Sequence, residues 1–238
     1  MNCEIDVWLI DLPEGAELAG RDIALLSPAE QARLRGYQAP RAALEFALTR
    51  IALRRILGDR LGLPPARVAL ATADGGKPFI DGAPRCRFNV THAGSLAAIA
   101  VHDSIEVGID VEHRSSLGDP EALSAYICSP AELDGWRAAG GPTPSVDLLA
   151  RLWTGKEALL KAVGHGLAIR PNLVDLSASA AAGCGRVALP DRFAPVPGEA
   201  LRWQALALGA GWHGAIAALV PAECDGLVPR HRTLPHAA

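Results

Sequence analysis

The feature of the sequence that most limits its fold is an internal repeat. The tetrapeptide Ser-Pro-Ala-Glu occurs at residues 27–30 and again at residues 129–132. Each copy has the pattern of a helix start, with serine at the N-cap, proline at the first helical position and glutamate at the third, where it completes a capping box. A chain that contains this helix start twice is expected to contain two similar structural units.

The segments that follow the two tetrapeptides are also alike. Residues 45–58 and 148–164 each have the pattern of an amphipathic helix that stops at a glycine. Short apolar runs typical of strands follow at 95–101 and 214–220. The sequence therefore predicts an α+β fold of two similar halves related by a pseudo-twofold axis, with a cleft between them as the natural place for a site.

The boundary between the halves is predicted to fall in a turn. The apolar runs at 96–101 and 107–112 are separated by five residues, a spacing typical of a hairpin. We therefore predict an N-terminal half over residues 1–103, a C-terminal half over 104–223 and a frayed tail over 224–238.

Composition excludes several classes of protein. A chain of 238 residues that is 50% hydrophobic and 21% charged has enough apolar material for a large core. A net charge of -3 argues against a nucleic-acid-binding protein. The five cysteines are scattered and contain no Cys-x-x-Cys, so neither a disulfide framework nor a zinc site is predicted. An acidic N-terminus and the lack of a long apolar run predict a cytoplasmic protein without a membrane span.

Two acids lie on one face of a predicted strand. In the segment Val-Gly-Ile-Asp-Val-Glu at 107–112, apolar residues alternate with a face that carries Asp110 and Glu112. The two acids are therefore about 7 Å apart along the strand. Solvent-facing acids are the usual explanation of such a pattern, and a metal site would need a third ligand.

A helix later in the chain supplies a candidate for that ligand. In RLWTGKEALLKAVGHGL at 151–167, Glu157 and Lys161 are four residues apart and share a helix face with Trp153. A solvated ion pair is the simplest explanation of this spacing. If the helix packs beside the strand, however, Glu157 completes three carboxylates, and oxygen ligands of this kind suit Mg²⁺. Lys156 lies about 100° around the helix and is the weaker candidate.

Three segments, in this order, resemble the motifs of a known family. FNVTHAG (88–94), VGIDVE (107–112) and LWTGKEALLKAVGHGL (152–167) resemble those of the 4′-phosphopantetheinyl transferases of the larger, surfactin-synthetase-activating type. GGKP at 75–78 matches a further glycine-lysine-proline element. The resemblance covers roughly residues 27–167 and implies two pseudo-symmetric α+β halves in one chain, in agreement with the repeat.

The resemblance also implies an activity. Coenzyme A would donate its 4′-phosphopantetheine group to a serine of an apo acyl, peptidyl or aryl carrier protein, leaving 3′,5′-ADP, with Mg²⁺ or Mn²⁺ as the metal. The expected partners are coenzyme A and the carrier protein, without nucleic acid or membrane, and the chain is expected to be a monomer. One alternative is a catalytically weak carrier-protein-binding module of the same fold. Another is an unrelated Mg²⁺-dependent phosphate enzyme, although no P-loop motif occurs in the sequence.

The resemblance assigns the residues that carry the chemistry. Asp110, Glu112 and Glu157 would hold the metal together with the pyrophosphate of coenzyme A, and Lys161 would stabilise charge on the phosphates. Glu157 is also a candidate base for the serine proton, directly or through a metal-bound water, and the sequence leaves both routes open.

Four more residues are assigned to coenzyme A. Lys77 and Pro78 would line the nucleotide pocket, Thr91 would supply a hydroxyl, and His92 would contact the 3′-phosphate. Members of the family often have an arginine near the start of the first long helix for the same phosphate, and this chain has Glu45 there. The candidate substitutes are Arg41, Arg50 and Arg54, with Arg33 or Arg35 near the adenine.

Overall fold

The computed structural model describes residues 1–73, 76–82, 85–138, 142–164 and 169–234, without the side chains of residues 142–145. Within these residues no helix is both long and apolar enough to cross a membrane. The strands are β1 (Cys3–Asp11), β2 (Leu70–Thr72), β3 (Pro78–Ile80), β4 (Arg87–Ala93), β5 (Leu96–His102), β6 (Val107–His113), β7 (Cys184–Val187), β8 (Glu199–Ala205), β9 (Trp212–Pro221) and β10 (Leu227–His231).

The α-helices lie in two groups, one between β1 and β2 and one between β6 and β7. The α-helices are α1 (Gly20–Ile23), α2 (Pro28–Gly36), α3 (Pro40–Leu61), α4 (Pro120–Ile127), α5 (Pro130–Ala138), α6 (Pro142–Val163) and α7 (Ser177–Ala180). Single turns of 3₁₀ helix lie at Pro65–Arg67, Arg114–Ser116, Pro171–Leu173 and Asp191–Phe193. This mixture of helix and sheet confirms the predicted α+β class.

The strands form two four-stranded sheets and one hairpin. The strand order is β10-β1-β5-β4 in the first sheet and β6-β9-β8-β7 in the second, and β2 pairs with β3. All pairs are antiparallel except β10 with β1. The sheets meet where β4 packs against β6, and the Ile109 N–H donates to Asn89 Oδ1 at 3.1 Å. The strand that carries the predicted acids therefore lies at the junction of the two sheets.

The core consists of four layers, in the order α3, first sheet, second sheet, α6. One face of the first sheet, with Trp8 and Ile10, packs against α3. The opposite face packs against the face of β6 that carries Ile109. The remaining face of the second sheet packs against α6. Asp110 and Glu112 alternate with the apolar residues of β6, so they lie on the α6 side.

From the first strand to the first long helix, corresponding elements of the two halves are separated by the same number of residues. Adding 102 to the bounds of α2 and α3 gives the bounds of α5 and α6, and the last residues of β1 and β6 differ by the same number. Both predicted capping boxes are present: the N–H groups of Ser27 and Ser129 donate to Glu30 and Glu132 at 2.8 and 2.7 Å. The repeat in the sequence is therefore a repeat in structure.

One predicted boundary, the end of the first long helix, is different in the structure. The first long helix continues through Gly58 to Leu61, and it is capped by Gly62, whose φ of 65° lies in the left-handed region. Residues 103–106 connect β5 to β6, so the chain passes from one sheet to the other at the predicted boundary. The division into halves over 1–103 and 104–223 stays a prediction, because β10 returns to the first sheet.

The prediction of a frayed tail over 224–238 is wrong for the residues that form β10. Leu227–His231 pair with β1 in parallel. Beyond the strand, Arg232 Nε lies 2.7 Å from an Asp6 oxygen, and the Trp8 indole donates to Thr233 O at 3.1 Å. A proline and several basic residues made the segment resemble a solvated tail, but an edge strand tolerates both. Residues 235–238 lie outside the described residues.

Gly108 sets the distance between β6 and α6. A Cβ atom at this position would lie 2.0 Å from Ala158 O and 2.5 Å from Ala162 N, both in the backbone of α6. Neither contact can be relieved by rotating a side chain. The strand and the helix can therefore approach this closely only with glycine at residue 108.

We expect Gly108→Ala to destabilise the protein by about 1–3 kcal/mol or more, because β6 and α6 must separate. The control is Gly135→Ala in α5, where an added Cβ would meet no heavy atom within 4 Å. The control variant should be as stable as the wild type or more stable by up to about 1 kcal/mol. Urea denaturation measures both free energies of unfolding, and equal values for the two variants would contradict the close packing.

Candidate active site

The predicted catalytic residues meet where β4, β6 and α6 converge. Asp110 is 4% exposed, and its Oδ1 accepts hydrogen bonds from Lys161 Nζ at 2.6 Å and from Thr91 Oγ1 at 3.0 Å. Lys161 Nζ also lies 3.3 Å from Thr91 Oγ1. The ion pair and the hydroxyl therefore fix one oxygen of Asp110, while its buried Oδ2 has no hydrogen-bond partner among the described residues.

Asp110 lies close enough to Glu112 and Glu157 for its charge to act on both of them. Burial is the largest cause that raises the pKa of all three carboxyl groups. The charge of Asp110 further raises the pKa of Glu112, and the charges of Asp110 and Glu112 further raise that of Glu157. Lys161 acts on all three in the opposite direction. The structure therefore brings together all four residues that the two motifs supplied.

Two side chains form hydrogen bonds with the Glu112 carboxylate. Ser116 Oγ donates to Glu112 Oε2 at 3.1 Å, and a hydrogen bond with Trp153 also lowers the pKa of Glu112. Trp153 could be anticipated, since it shares the helix face of Glu157. Ser116 could not, because it lies in a 3₁₀ turn after β6 that has no signal in the sequence.

The carboxylates fit a divalent cation in their chemistry. All are hard oxygen donors, they repel one another, and Asp110 Oδ2 is a buried acceptor without a donor among the described residues. No group of three His, Cys, Asp or Glu side chains in the described part of the chain has the arrangement of a metal site. The Lys161 ammonium lies 2.6 Å from Asp110 Oδ1.

Lys77 and Pro78, which are predicted to bind the nucleotide, lie beside Lys161 of the carboxylate cluster. Lys77, Pro78 and Lys161 line one cavity of about 220 Å³, together with Gly76, Asn89, Val90, Leu160 and Gly164. The Lys77 ammonium donates to Glu106 Oε2 at 2.8 Å and to Val107 O at 3.1 Å. Glu106 was not anticipated, since it precedes the strand motif by one residue. Gly75 of the glycine-lysine-proline element and residues 165–167 of the helix motif lie outside the described residues.

His92 belongs to a second cluster. Because neighbouring residues of β4 point to opposite faces, Thr91 reaches Asp110 while His92 lies on the other side and is half-exposed. His92 Nδ1 is 3.9 Å from Glu45 Oε2, and Arg41 Nε donates to Glu45 Oε1 at 2.6 Å. Glu45 therefore lies between a histidine and an arginine.

The other candidate arginines are differently engaged. Arg54 is 2% exposed and donates to Glu30 at 2.6 Å and to the carbonyls of Pro65 and Val68, so it lies outside the site. Arg50 is 3.9 Å from Glu30, and Arg33 lies 4.8 Å from the centre of the Phe46 ring. Of the three substitutes considered for the missing arginine, Arg41 is the one that contacts Glu45.

Lys156 does not face the carboxylates. Its side chain is fully buried, and its ammonium donates to Glu132 Oε2, Ile127 O and Pro171 O at 2.5, 2.6 and 3.1 Å. These three contacts use all of its N–H donors. Of the two lysines, Lys161 is the one whose charge acts on Glu157.

The comparisons with known proteins agree with this geometry. Residues 13–104 match the model described as 4′-phosphopantetheinyl transferase, N-terminal, and residues 106–193 match that of the 4′-phosphopantetheinyl transferase superfamily.

Three relatives illustrate the similarity. The chain is 32% identical to the 4′-phosphopantetheinyl transferase HetI of Nostoc over 71% of its own length and 72% of that protein. It is 28% identical to the 4′-phosphopantetheinyl transferase of Bacillus subtilis over 67% and 70% of the two chains. The Xenopus laevis L-aminoadipate-semialdehyde dehydrogenase-phosphopantetheinyl transferase is 27% identical over 65% and 54%. With two matched motifs facing each other across β6 and α6, the chain belongs to the 4′-phosphopantetheinyl transferase superfamily.

Proposed function

We propose that this protein transfers the 4′-phosphopantetheine group of coenzyme A to a serine of an apo carrier protein, releasing 3′,5′-ADP, in a reaction that requires Mg²⁺ or Mn²⁺. The observation that carries the proposal is the cluster of Asp110, Glu112, Glu157 and Lys161 beside the cavity lined by Lys77 and Pro78. A catalytically weak carrier-protein-binding module is less well supported, because every one of these residues is present.

The carboxylates are the proposed metal ligands. Asp110, Glu112 and Glu157 would hold the cation, which would neutralise the pyrophosphate of coenzyme A and so ease attack at phosphorus. Thr91 assists by holding one oxygen of Asp110, which leaves Oδ2 free to accept. Ser116 and Trp153 orient Glu112 in the same manner.

Lys161 and Glu157 are the proposed catalytic residues. Lys161 lies between Asp110 and the cavity, where its ammonium can stabilise negative charge on the phosphates or on the leaving group. Burial and two neighbouring acids raise the pKa of Glu157, which favours its role as acceptor of the serine proton. A metal-bound water is the alternative acceptor.

Coenzyme A is proposed to lie along the junction of the two sheets. Lys77 and Pro78 would contact the nucleotide, and the 3′-phosphate would approach His92 and Arg41. The larger, surfactin-synthetase-activating type, the cytoplasmic location and the monomeric state belong to the same proposal. The carrier protein would be an acyl, peptidyl or aryl carrier protein.

The first test of this function is metal dependence. Because three acids lie together and no nitrogen or sulfur ligand accompanies them among the residues that the structure describes, transfer should require Mg²⁺ or Mn²⁺ and should stop with EDTA. Mass spectrometry of several apo carrier proteins incubated with the protein, coenzyme A and Mg²⁺ measures the added mass on serine and identifies the preferred carrier. Full transfer after rigorous chelation would exclude the metal assignment.

The second test concerns the catalytic lysine. We expect Lys161→Ala to lower kcat about tenfold to a thousandfold, with a smaller effect on coenzyme A affinity, since the amine acts on charge that develops in the transition state. Lys161→Arg keeps the charge and is expected to retain more of the rate. Steady-state kinetics measure both, and an undiminished kcat in the alanine variant would remove Lys161 from the catalytic residues.

The third test concerns the 3′-phosphate. A charge-assisted contact from Arg41 or His92 is worth about 1.5–3 kcal/mol, so coenzyme A should be preferred to dephospho-coenzyme A by roughly ten- to a hundredfold. The Glu45 carboxylate, 2.6 Å from Arg41 and 3.9 Å from His92, should reduce that preference by competing with the phosphate.

The variants Glu45→Gln and His92→Ala separate these contributions. Removal of the Glu45 charge should enlarge the preference for coenzyme A, as should Glu45→Arg, and His92→Ala should erase much of it. The ratio of kcat/KM for the two donors measures the preference. Equal use of both donors by the wild type and by all three variants would place the phosphate elsewhere.

A further inference from the structure

Glu132 and Lys156 form a fully buried ion pair beside the proposed active site. Glu132 is 3% exposed and Lys156 is 0% exposed, and Lys156 precedes Glu157 in the chain. The side chains of Lys156 and Glu157 point about 100° apart around α6. The ion pair therefore holds the helix from the side that faces away from the carboxylates.

The pair joins four segments of the second half. Besides Glu132, Lys156 holds the carbonyls of Ile127 at the end of α4 and of Pro171 after α6. The other oxygen of Glu132 accepts the Leu176 N–H at 2.7 Å. A buried charge is costly unless all its partners remain in place, so α6 cannot rotate or slide without breaking several of these bonds together.

The first half contains the equivalent pair in a different role. Glu30 and Arg54 have the same separation of 24 residues, and Arg54 likewise donates to Glu30 and to two backbone carbonyls. The residue after Arg54 is Arg55, which pairs with Asp22 at 2.9 Å and takes no part in the carboxylate cluster. The chain thus supplies its own matched control for the second pair.

We propose that the Glu132–Lys156 pair is a positioning device for catalysis, which fixes the rotation of α6 and so directs Glu157 and Lys161 toward β6. The proposal rests on the function proposed above. Two further contacts of the same helix agree with it. Gly108 allows α6 to lie against β6, and Lys161 lies 2.6 Å from Asp110, so a small rotation would separate the paired charges.

The test compares two double variants of the full chain, Glu132→Gln with Lys156→Met and Glu30→Gln with Arg54→Met. Each double variant removes both buried charges and keeps similar side-chain volume, so neither leaves an unpaired ion. Melting temperature, kcat and KM for coenzyme A, and Mn²⁺ binding by electron paramagnetic resonance are measured for both and for the wild type, with kinetics well below the lower melting temperature.

We expect the second-half variant to lose about ten- to a hundredfold in kcat, with a smaller change in KM, because a displacement of about 1 Å can cost that much in rate. Its Mn²⁺ binding should weaken as well. The first-half variant should keep its rate and its Mn²⁺ affinity even if its melting temperature falls equally. Equal kcat per folded protein in the two double variants would overturn the positioning role and leave both pairs purely structural.

A second set of variants covers the case in which a double variant does not fold. Glu132→Asp and Glu30→Asp keep every charge and shorten one side chain, and only the first is expected to lower kcat, by about threefold or more. If the wild type modifies no carrier protein, the proposed function fails, and the positioning role is then judged from Mn²⁺ binding alone. Unchanged Mn²⁺ affinity in the second-half variant would overturn it.

Discussion

The contact between β6 and α6 determines the rest of this structure. Because Gly108 has no side chain, the backbone of β6 packs directly against the backbone of α6. The strand acids Asp110 and Glu112 then lie opposite Glu157 and Lys161 of the helix. Burial, followed by the charges of Asp110 and Glu112, raises the pKa of Glu157, so the charged form of this acid is disfavoured where it lies. Packing of the surrounding layers must therefore hold the acids together.

The repeat shows how the same framework supports a core in one half and a site in the other. With the offset of 102 residues, Asp110 and Glu112 correspond to Trp8 and Ile10 of β1. In the first half these positions pack against α3 within an apolar cluster. In the second half they carry carboxylates that face α6. At these equivalent positions the first half therefore has residues that stabilise its core, and the second half has the acids of the proposed site.

Much of this could be predicted from the sequence because its signals were local. The capping boxes at Ser27 and Ser129, and the spacing of Glu157 and Lys161, depend on helix geometry alone. The resemblance to the transferases then supplied the joint assignment of strand and helix. The location of Thr91 beside Asp110 follows from the junction of β4 and β6, which no single segment encodes.

What could not be predicted depends on contacts between distant residues. Lys156 has the same local pattern as any helix lysine, and only the fold shows that Glu132 neutralises it. The interaction of Lys77 with Glu106 likewise joins the turn between β2 and β3 to a residue 29 positions later, just before β6. The last strand was missed because Pro229 and its basic neighbours resemble a solvated segment, and only β1 provides the partner that orders them.

The parallel pairing of β10 with β1 has a consequence for how the chain folds during synthesis. The edge strand of the first sheet, β10, lies more than 200 residues after β1 in the sequence. Until residues 227–231 have left the ribosome, one side of β1 presents unpaired backbone groups, even though the other three strands of that sheet are complete. Closure of this edge is a very non-local step, and so it is expected to be slow and to come after the helices have formed.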